Sequence, residues 1–409
     1  MSDKPSFQAR DHGNGILEII GGSPIINSEH PAVSALLALS RKFAHLVLTL
    51  EIDSSVDPTA LPKLLEVASS TNLSVVAQDP TAFPFSHAKV QTYSTIGEAI
   101  TEIKGDIFAK QIMKKIEGIS EQNSQASNHL KKLNLVGADF FSLGNAIADD
   151  PALADVLQKT AGSTFFMRRN NAETLSGLLS FLGIDGVKQI LVFNVFKGLA
   201  EHFGVQRATL EHGRAVAYMA TYLAEMTKTA RLTISRIRLA GLIHDIGSMA
   251  LAFYHPQEFL VTRRIMQDRN ISSTEAETLV FGIEHQRLGH LIATTWGFPD
   301  YLVSVISNHH SLRDTDFEQL TIPVFCANGF MNHVIEGISH TPYFSKLRLY
   351  FKKLPTDEDF KADTETGNDA KSEQIRKAVL AEKNMRVKLV LDSLKNDWRQ
   401  FKTKDVPLW

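Results

Sequence analysis

Residues Leu239–Gly247 read LAGLIHDIG, an apolar run interrupted by one imidazole and one carboxylate. A run this apolar belongs in a core, and burying the ionised carboxylate of Asp245 without a partner costs several kcal/mol, on the order of 3–5 by analogy with broken buried pairs. A cationic or hydrogen-bonding partner must therefore sit beside it. The rest of the chain offers histidines. Eight of the fifteen (202, 212, 244, 255, 285, 290, 309 and 310) fall between His202 and His310. At 3.6 residues per turn, His212 shares a helix face with Val216, Met219 and Leu223. His244 aligns with Ile237, Ala240 and Gly241, His285 with Phe281, Leu288 and Ile292, and His309 with Leu302, Val305 and Ile306. Four helices are thus expected to aim a histidine at one core, with Gly247 ending the helix that carries His244 and Asp245. Imidazoles and a carboxylate without thiolate form a ligand set for iron, manganese, nickel or zinc. The competing reading is a polar core, free of metal, in which each histidine is satisfied by hydrogen bonds.

Outward from this stretch, almost every segment from Leu133 has helix period, and no strand alternation is evident between 133 and 345. Asp150-Pro151 reads as a cap and first position, followed by the stripe Ala152, Leu153, Val156 and Leu157, with Gly162 as the stop. The run from Asp185 to Phe203 is apolar on most faces, as expected of a central helix. Residues 16–105 differ: the strand-like runs Ile16–Ile20, Leu46–Ile52 and Leu73–Ala77 alternate with the helix-like runs Ala32–Phe43 and Leu61–Ser69, which argues for a sheet with helices packed on it. Between them IEGISEQNSQASNHLKK, ending at Lys132, is polar. The expected organisation is multidomain: a small α/β domain at 1–110, a helical linker at 111–132, a larger all-α domain at 133–345, and a charged loop with a C-terminal helix at 346–409. The last part holds TDEDFKADTETGNDAKSEQ (356–374), then a helix-period stretch at 375–401.

Length and composition support this division. The chain has 409 residues, more than one usual domain, with 44% hydrophobic and 22% charged residues. A formal charge of -2 removes the electrostatic case for a nucleic-acid-coating protein, and only the tail, with fifteen Lys/Arg against eleven Asp/Glu, leaves a nucleic-acid-associated regulator as a third reading. Its single cysteine, Cys326, excludes an internal disulfide and a thiolate zinc cage. No apolar run reaches the ~20 residues of a membrane span. The expectation is a cytoplasmic protein with no membrane association.

The stretch around His212 with GRAVAYMA, LAGLIHDIG, EHQRLGHLIATTWGFP from Glu284 and the pair His309-His310 together resemble the HD superfamily, and within it the HDOD subgroup, the HD-related output domain of bacterial signalling proteins. DDPALADVLQKTAGSTFF (149–166) and Leu182-Gly183 fit the same subgroup, so that the resemblance covers roughly 130–335. It implies an all-α fold. In catalytic HD members it further implies a metal held by a His, His-Asp, Asp pattern that hydrolyses phosphate esters. His212, His244 and Asp245 match three of these positions; Asn328, in TIPVFCANGFMN, stands where those members carry aspartate. A neutral amide oxygen weakens a divalent site. Relatives that cleave cyclic dinucleotides, the HD-GYP proteins, use further histidines that match His285, His309 and His310. Ser248 stands where they carry lysine, and SLRDTDFEQL lacks their GYP element.

In the N-terminal part LVLTLEIDSSVDPTALPKLL (46–65), LSVVAQ (73–78) and TIGEAI (95–100) resemble a STAS domain, the fold of anti-sigma-factor antagonists. Asp57-Pro58-Thr59-Ala60 occupies the place of the phosphorylated helix start of that family, with proline in place of serine. Thr59 stays an acceptor candidate, against the simpler reading of Asp57 as an N-cap before Pro58, with Ser54 and Ser55 in a loop.

These readings lead to a non-catalytic bacterial signalling regulator whose helical domain binds a ligand or a protein partner, a nucleotide among the candidate ligands. The alternative is a metal-dependent phosphohydrolase acting on a nucleotide or phosphate ester, with Asp245 at the centre of catalysis. The expected metal ligands are His212, His244, Asp245, His285, His309 and His310, for a divalent ion or, if the pocket is vestigial, none.

Overall fold

The computed structural model describes residues 7–332, apart from 22–24, 52–53, 80–81, 84–89, 120–126, 129, 132–150, 162–174, 205–206, 227–230 and 311–316. The cap at Asp150, the stop at Gly162, the charged loop 356–374 and the C-terminal helix 375–401 read from the sequence lie outside the described residues. Those described fall into two compact units, one reaching Gln111 and including Glu277–Ile283, the other running from Ile112 to Ala276 and from Glu284 onward.

The first unit is α/β. Strands β1 (Phe7–Gly13), β2 (Ile16–Gly21), β4 (His45–Leu50), β6 (Asn72–Val76) and β7 (Val90–Tyr93) form one sheet in the order β1-β2-β4-β6-β7, with β3 (Ile25–Ile26) and β5 (Ser55–Val56) pairing separately. Strand β1 is antiparallel to β2, while the pairs β2–β4, β4–β6 and β6–β7 are parallel. The parallel strands are apolar on successive residues because both faces are covered. Helices α1 (Pro31–Leu39) and α2 (Leu61–Ser70) lie on one face, where Ala32, Val33, Leu36, Leu64 and Val67 meet Leu17, Ile19, Leu46, Leu48 and Val75. On the other, α3 (Ile96–Glu117) brings Ala99, Ile100 and Ile103 onto Ile16, Val47, Val76 and Tyr93. Glu18 is the polar exception on this second face. It is buried but satisfied, accepting from the Thr49 hydroxyl at 2.7 Å and lying 2.9 Å from His12 Nε2.

Strands β1 and β7 carry no apolar alternation, and their sequence signal is correspondingly weak. The first is an exposed edge strand (FQARDHG) fixed by the turn at Gly13-Asn14-Gly15, each residue at positive φ. Ser55 lies in β5 instead of a loop. Asp57 does cap the short 3₁₀ turn Pro58–Ala60: its carboxylate accepts from Thr59 N at 2.8 Å and from Thr59 Oγ1 at 2.6 Å, which holds its pKa below the usual carboxylate value.

The second unit is helical, and no strand occurs among its described residues. Its helices are α4 (Pro151–Ala161), α5 (Leu175–His202), α6 (Arg207–Met226), α7 (Arg231–Ile243), α8 (Ile246–Tyr254), α9 (Pro256–Arg269), α11 (His285–Thr295), α12 (Asp300–Asn308) and α13 (Glu318–Phe330); α10 (Ser273–Phe281) precedes α11. Helix α5 kinks at Gly183 and then buries Ile190, Leu191, Val192, Val195, Phe196 and Leu199. Two close crossings organise the rest. Helix α6 lies against α7, where a Cβ on Gly241 would come within 2.7 Å of Ala217 Cα, and α8 lies against α11, where a Cβ on Gly247 would come within 2.0 Å of the His285 carbonyl oxygen. Helix α13 packs on α6, α7 and α12 and closes the bundle. No helix among the described residues is long and apolar enough to cross a membrane.

Candidate metal centre

The sequence places His244 and Asp245 on one helix. Instead α7 ends at Ile243, both residues sit in a two-residue break, and α8 begins at Ile246. The break resolves the geometric problem of neighbouring side chains that point about 100° apart on a helix. Gly247 does not terminate a helix. It is the second residue of α8, kept free of a Cβ by the backbone of α11. Asp245 is the N-cap residue of α8, yet its carboxylate caps nothing and is left for the cluster. His285 likewise opens α11, so Phe281 belongs to a different helix, and His309 is the C-cap residue of α12.

Asp245 is the hub. Its Oδ1 lies 3.4 Å from His285 Nε2 and 3.3 Å from His309 Nε2, and its Oδ2 lies 3.3 Å from His244 Nε2 and 3.6 Å from His212 Nε2. The side chain is 19% exposed, whereas His244 and His309 are fully buried. Donor atoms fall into two groups that share this carboxylate: Asp245, His285, His309 and His310, and His212, His244 and Asp245, each within 4.8 Å of one another. All six residues read from the sequence as ligands therefore converge. Asn328, buried on α13, places Oδ1 3.1 Å from His212 Nε2. The other three central histidines lie elsewhere: His202 against Phe203 and Phe253, His255 beside Glu258, and His290 on the Ser307 hydroxyl.

Hydrogen bonds fix the tautomers. His244 Nδ1 donates to the Gly241 carbonyl at 2.8 Å and His309 Nδ1 donates to the Ile306 carbonyl at 2.8 Å. In their neutral forms both rings therefore turn an Nε2 lone pair toward a carboxylate oxygen 3.3 Å away. His309 Nε2 also lies 3.0 Å from His285 Nε2, and His244 Nε2 has no hydrogen-bond partner. Lone pairs converging on an anion, with each ring anchored through its other nitrogen, is the arrangement of metal-ligating histidines. The donor set fits a divalent cation. Burial alone would raise the Asp245 carboxyl; once the rings take up protons, the charge and hydrogen bond of His244, the hydrogen bond of His309 and the charge of His285 outweigh it and draw the group well below the usual range. Burial lowers His309 to about 4, and burial beside His309 and His285 lowers His310 as well.

These shifts set a pH dependence. Unfolded histidine titrates near 6.5, so between about pH 6.5 and 4 the unfolded chain binds protons that folded His309 and His310 refuse. The stability they contribute is complete above about pH 6.5 and is lost as pH falls toward 4. In the metal-free protein, urea unfolding at pH 7 and pH 5 should differ by on the order of 1–2 kcal/mol from His309 alone, the acid value being lower. Replacing His310 by Gln should make that fall shallower.

The unit that carries the cluster is all-α, and a small α/β sheet region precedes it in the chain. Residues 124–312 match the family model of the HDOD domain, and the chain carries such a domain there. A Treponema pallidum (strain Nichols) protein, described only as uncharacterized, is 23% identical over 225 residues, 54% of this chain and 43% of its own length. The chain thus spans less than half of that relative. Among solved structures, an HDOD domain protein of unknown function from Geobacter sulfurreducens is 18% identical over 71% of this chain and 97% of its own, with a TM-score of 0.41. A protein from Marinobacter aquaeolei VT8, provisionally named a signal transduction protein, is 14% identical over 96% and 95%, with a TM-score of 0.45. One from Shewanella amazonensis SB2B, provisionally named a metal-dependent phosphohydrolase, is 15% identical over 61% and 90%, with a TM-score of 0.36.

Proposed function

We propose that this protein is a signalling regulator whose HDOD domain holds a divalent ion and uses the pocket around it to bind a ligand or partner without turnover. One observation carries the reading: the position that would complete an anionic ligand set is the neutral Asn328, whose Oδ1 meets His212 Nε2 at 3.1 Å. The ion would be held by Asp245, His285, His309 and His310, with iron, manganese, nickel and zinc as the metals this donor set suits. When bound it would supply a positive centre for an oxyanion of the ligand, a nucleotide phosphate among the candidates. Around it the protein side chains would orient the ligand. The N-terminal α/β unit, STAS-like in this reading, would contact protein partners in the pathway.

The second reading, a phosphohydrolase, is favoured by the sharing of Asp245 between two groups of donors. Metal analysis of the purified protein, with a phosphodiesterase assay on bis-p-nitrophenyl phosphate and a cyclic dinucleotide across Mn²⁺, Fe²⁺, Ni²⁺ and Zn²⁺, separates them. Bound metal without turnover is the expected result. Turnover that disappears in His244→Ala would establish the hydrolase instead.

A further inference from the structure

The half of the cluster that contains Asn328 is wired differently from the other half, and the difference comes from a residue four positions on. Asn332 Nδ2 donates to Asn328 Oδ1 at 3.1 Å, the same oxygen that lies 3.1 Å from His212 Nε2. A carbonyl oxygen has two lone pairs, and both are engaged here. With its oxygen held by Asn332, the amide of Asn328 presents an acceptor to His212, so His212 Nε2 must carry the hydrogen and has no lone pair to offer a cation. Turning the amide over would set its NH₂ against the NH₂ of Asn332.

We propose that Asn332 locks Asn328 and His212 into a hydrogen-bonded chain, so that the His212–His244 half of the cluster admits no second ion and the protein takes a single divalent cation at Asp245, His285, His309 and His310. The inference rests on the metal-holding reading above. Counting donors supports it. In the first half only His244 Nε2 and one oxygen of Asp245 keep lone pairs directed inward, and that carboxylate is shared. Two protein ligand atoms fall short of the three or four with which proteins hold zinc, about three even where a water completes the set. The second half brings four donor atoms together, and its one hydrogen between rings, donated by His285 Nε2 to His309 Nε2, is held by no amide oxygen and gives way when a cation takes its place. What the first half has left is a buried acceptor, His244 Nε2, and a buried donor, Asn328 Nδ2, both without hydrogen-bond partners. That pair is the complement of a hydroxyl group or a water, which both donates and accepts, and not of a cation.

The experiment is Mn²⁺ titration of the full chain, read by calorimetry and by metal content after gel filtration, with electron paramagnetic resonance to detect spin-coupled pairs. Wild type should bind one Mn²⁺ with an uncoupled spectrum. Asn328→Asp should bind two and show coupling. Two ions in wild type would overturn the lock while leaving the metal reading intact, whereas no ion in wild type would remove the metal reading itself. One ion in a folded Asn328→Asp protein would overturn the role of Asn328. For Asn332 the readout is independent of metal: long-range ¹H–¹⁵N correlations of the imidazoles should show the His212 hydrogen on Nε2 in wild type and a mixture of tautomers in Asn332→Leu. An unchanged His212 spectrum in that variant would overturn the positioning role of Asn332.

Discussion

Asp245→Asn is expected to weaken divalent-ion binding by more than ~100-fold, and to do so whichever of the two readings of function holds. The carboxylate is the only anionic group in either donor group among the described residues, and every histidine Nε2 that approaches it at 3.3–3.6 Å does so without a competing charge. Asparagine keeps the size and one acceptor but removes the charge that makes a cation preferable to water between neutral imidazoles. Calorimetric titration with Zn²⁺ or Mn²⁺ checks this effect. Binding within tenfold of wild type would place the cation elsewhere.

Much of this site is legible in the sequence, and the reason is energetic. A carboxylate inside LAGLIHDIG has to be compensated, and histidines recurring on apolar helix faces are the available compensation. Val216, Met219 and Leu223, which share the His212 face, are buried as the spacing predicts, as are Leu302, Val305 and Ile306 beside His309. The central strands were legible for the same reason, since Ile16, Leu46 and Val75 are buried under helices. What the pattern could not carry was any feature without hydrophobic periodicity. Strand β1 is an edge whose side chains mostly face solvent, so its sequence carries no hydrophobic period. Asn332 acts through one amide hydrogen bond, and its sole trace in the sequence is the i, i+4 spacing to Asn328. Helix period also runs straight through Phe281 to His285, where the chain in fact breaks at Gly282, at positive φ, before α11 begins. The same blindness applies to Gly247, since a glycine after an apolar run looks alike whether it ends a helix or lets another helix approach.

That ambiguity gives the second large expected effect. Gly247→Ala should destabilise the protein by about 3 kcal/mol or more. The added Cβ would lie 2.0 Å from the His285 carbonyl oxygen and 2.7 Å from Gly289 N. Both are backbone atoms of α11, so no side chain can swing aside, and α8 must move away from α11 before the methyl group fits. Had Gly247 been a helix stop in solvent, alanine would cost no more than about 1 kcal/mol. Gly97 in α3 supplies the control: a Cβ there meets nothing within 4 Å, and Gly97→Ala should leave stability unchanged or raise it by roughly 0.5–1 kcal/mol, the ordinary preference of a helix for alanine. The displacement would also fall on the site, because Asp245 lies two residues before Gly247 and the obstructing carbonyl is that of His285. The Asp245 Oδ1 to His285 Nε2 separation of 3.4 Å depends on this crossing. Gly247→Ala should therefore lose metal affinity together with stability even though it alters no ligand. Urea denaturation of the two glycine variants, followed by Mn²⁺ titration of whichever remains folded, measures both. A Gly247→Ala protein as stable as Gly97→Ala would mean that α8 and α11 do not approach as closely as this packing requires.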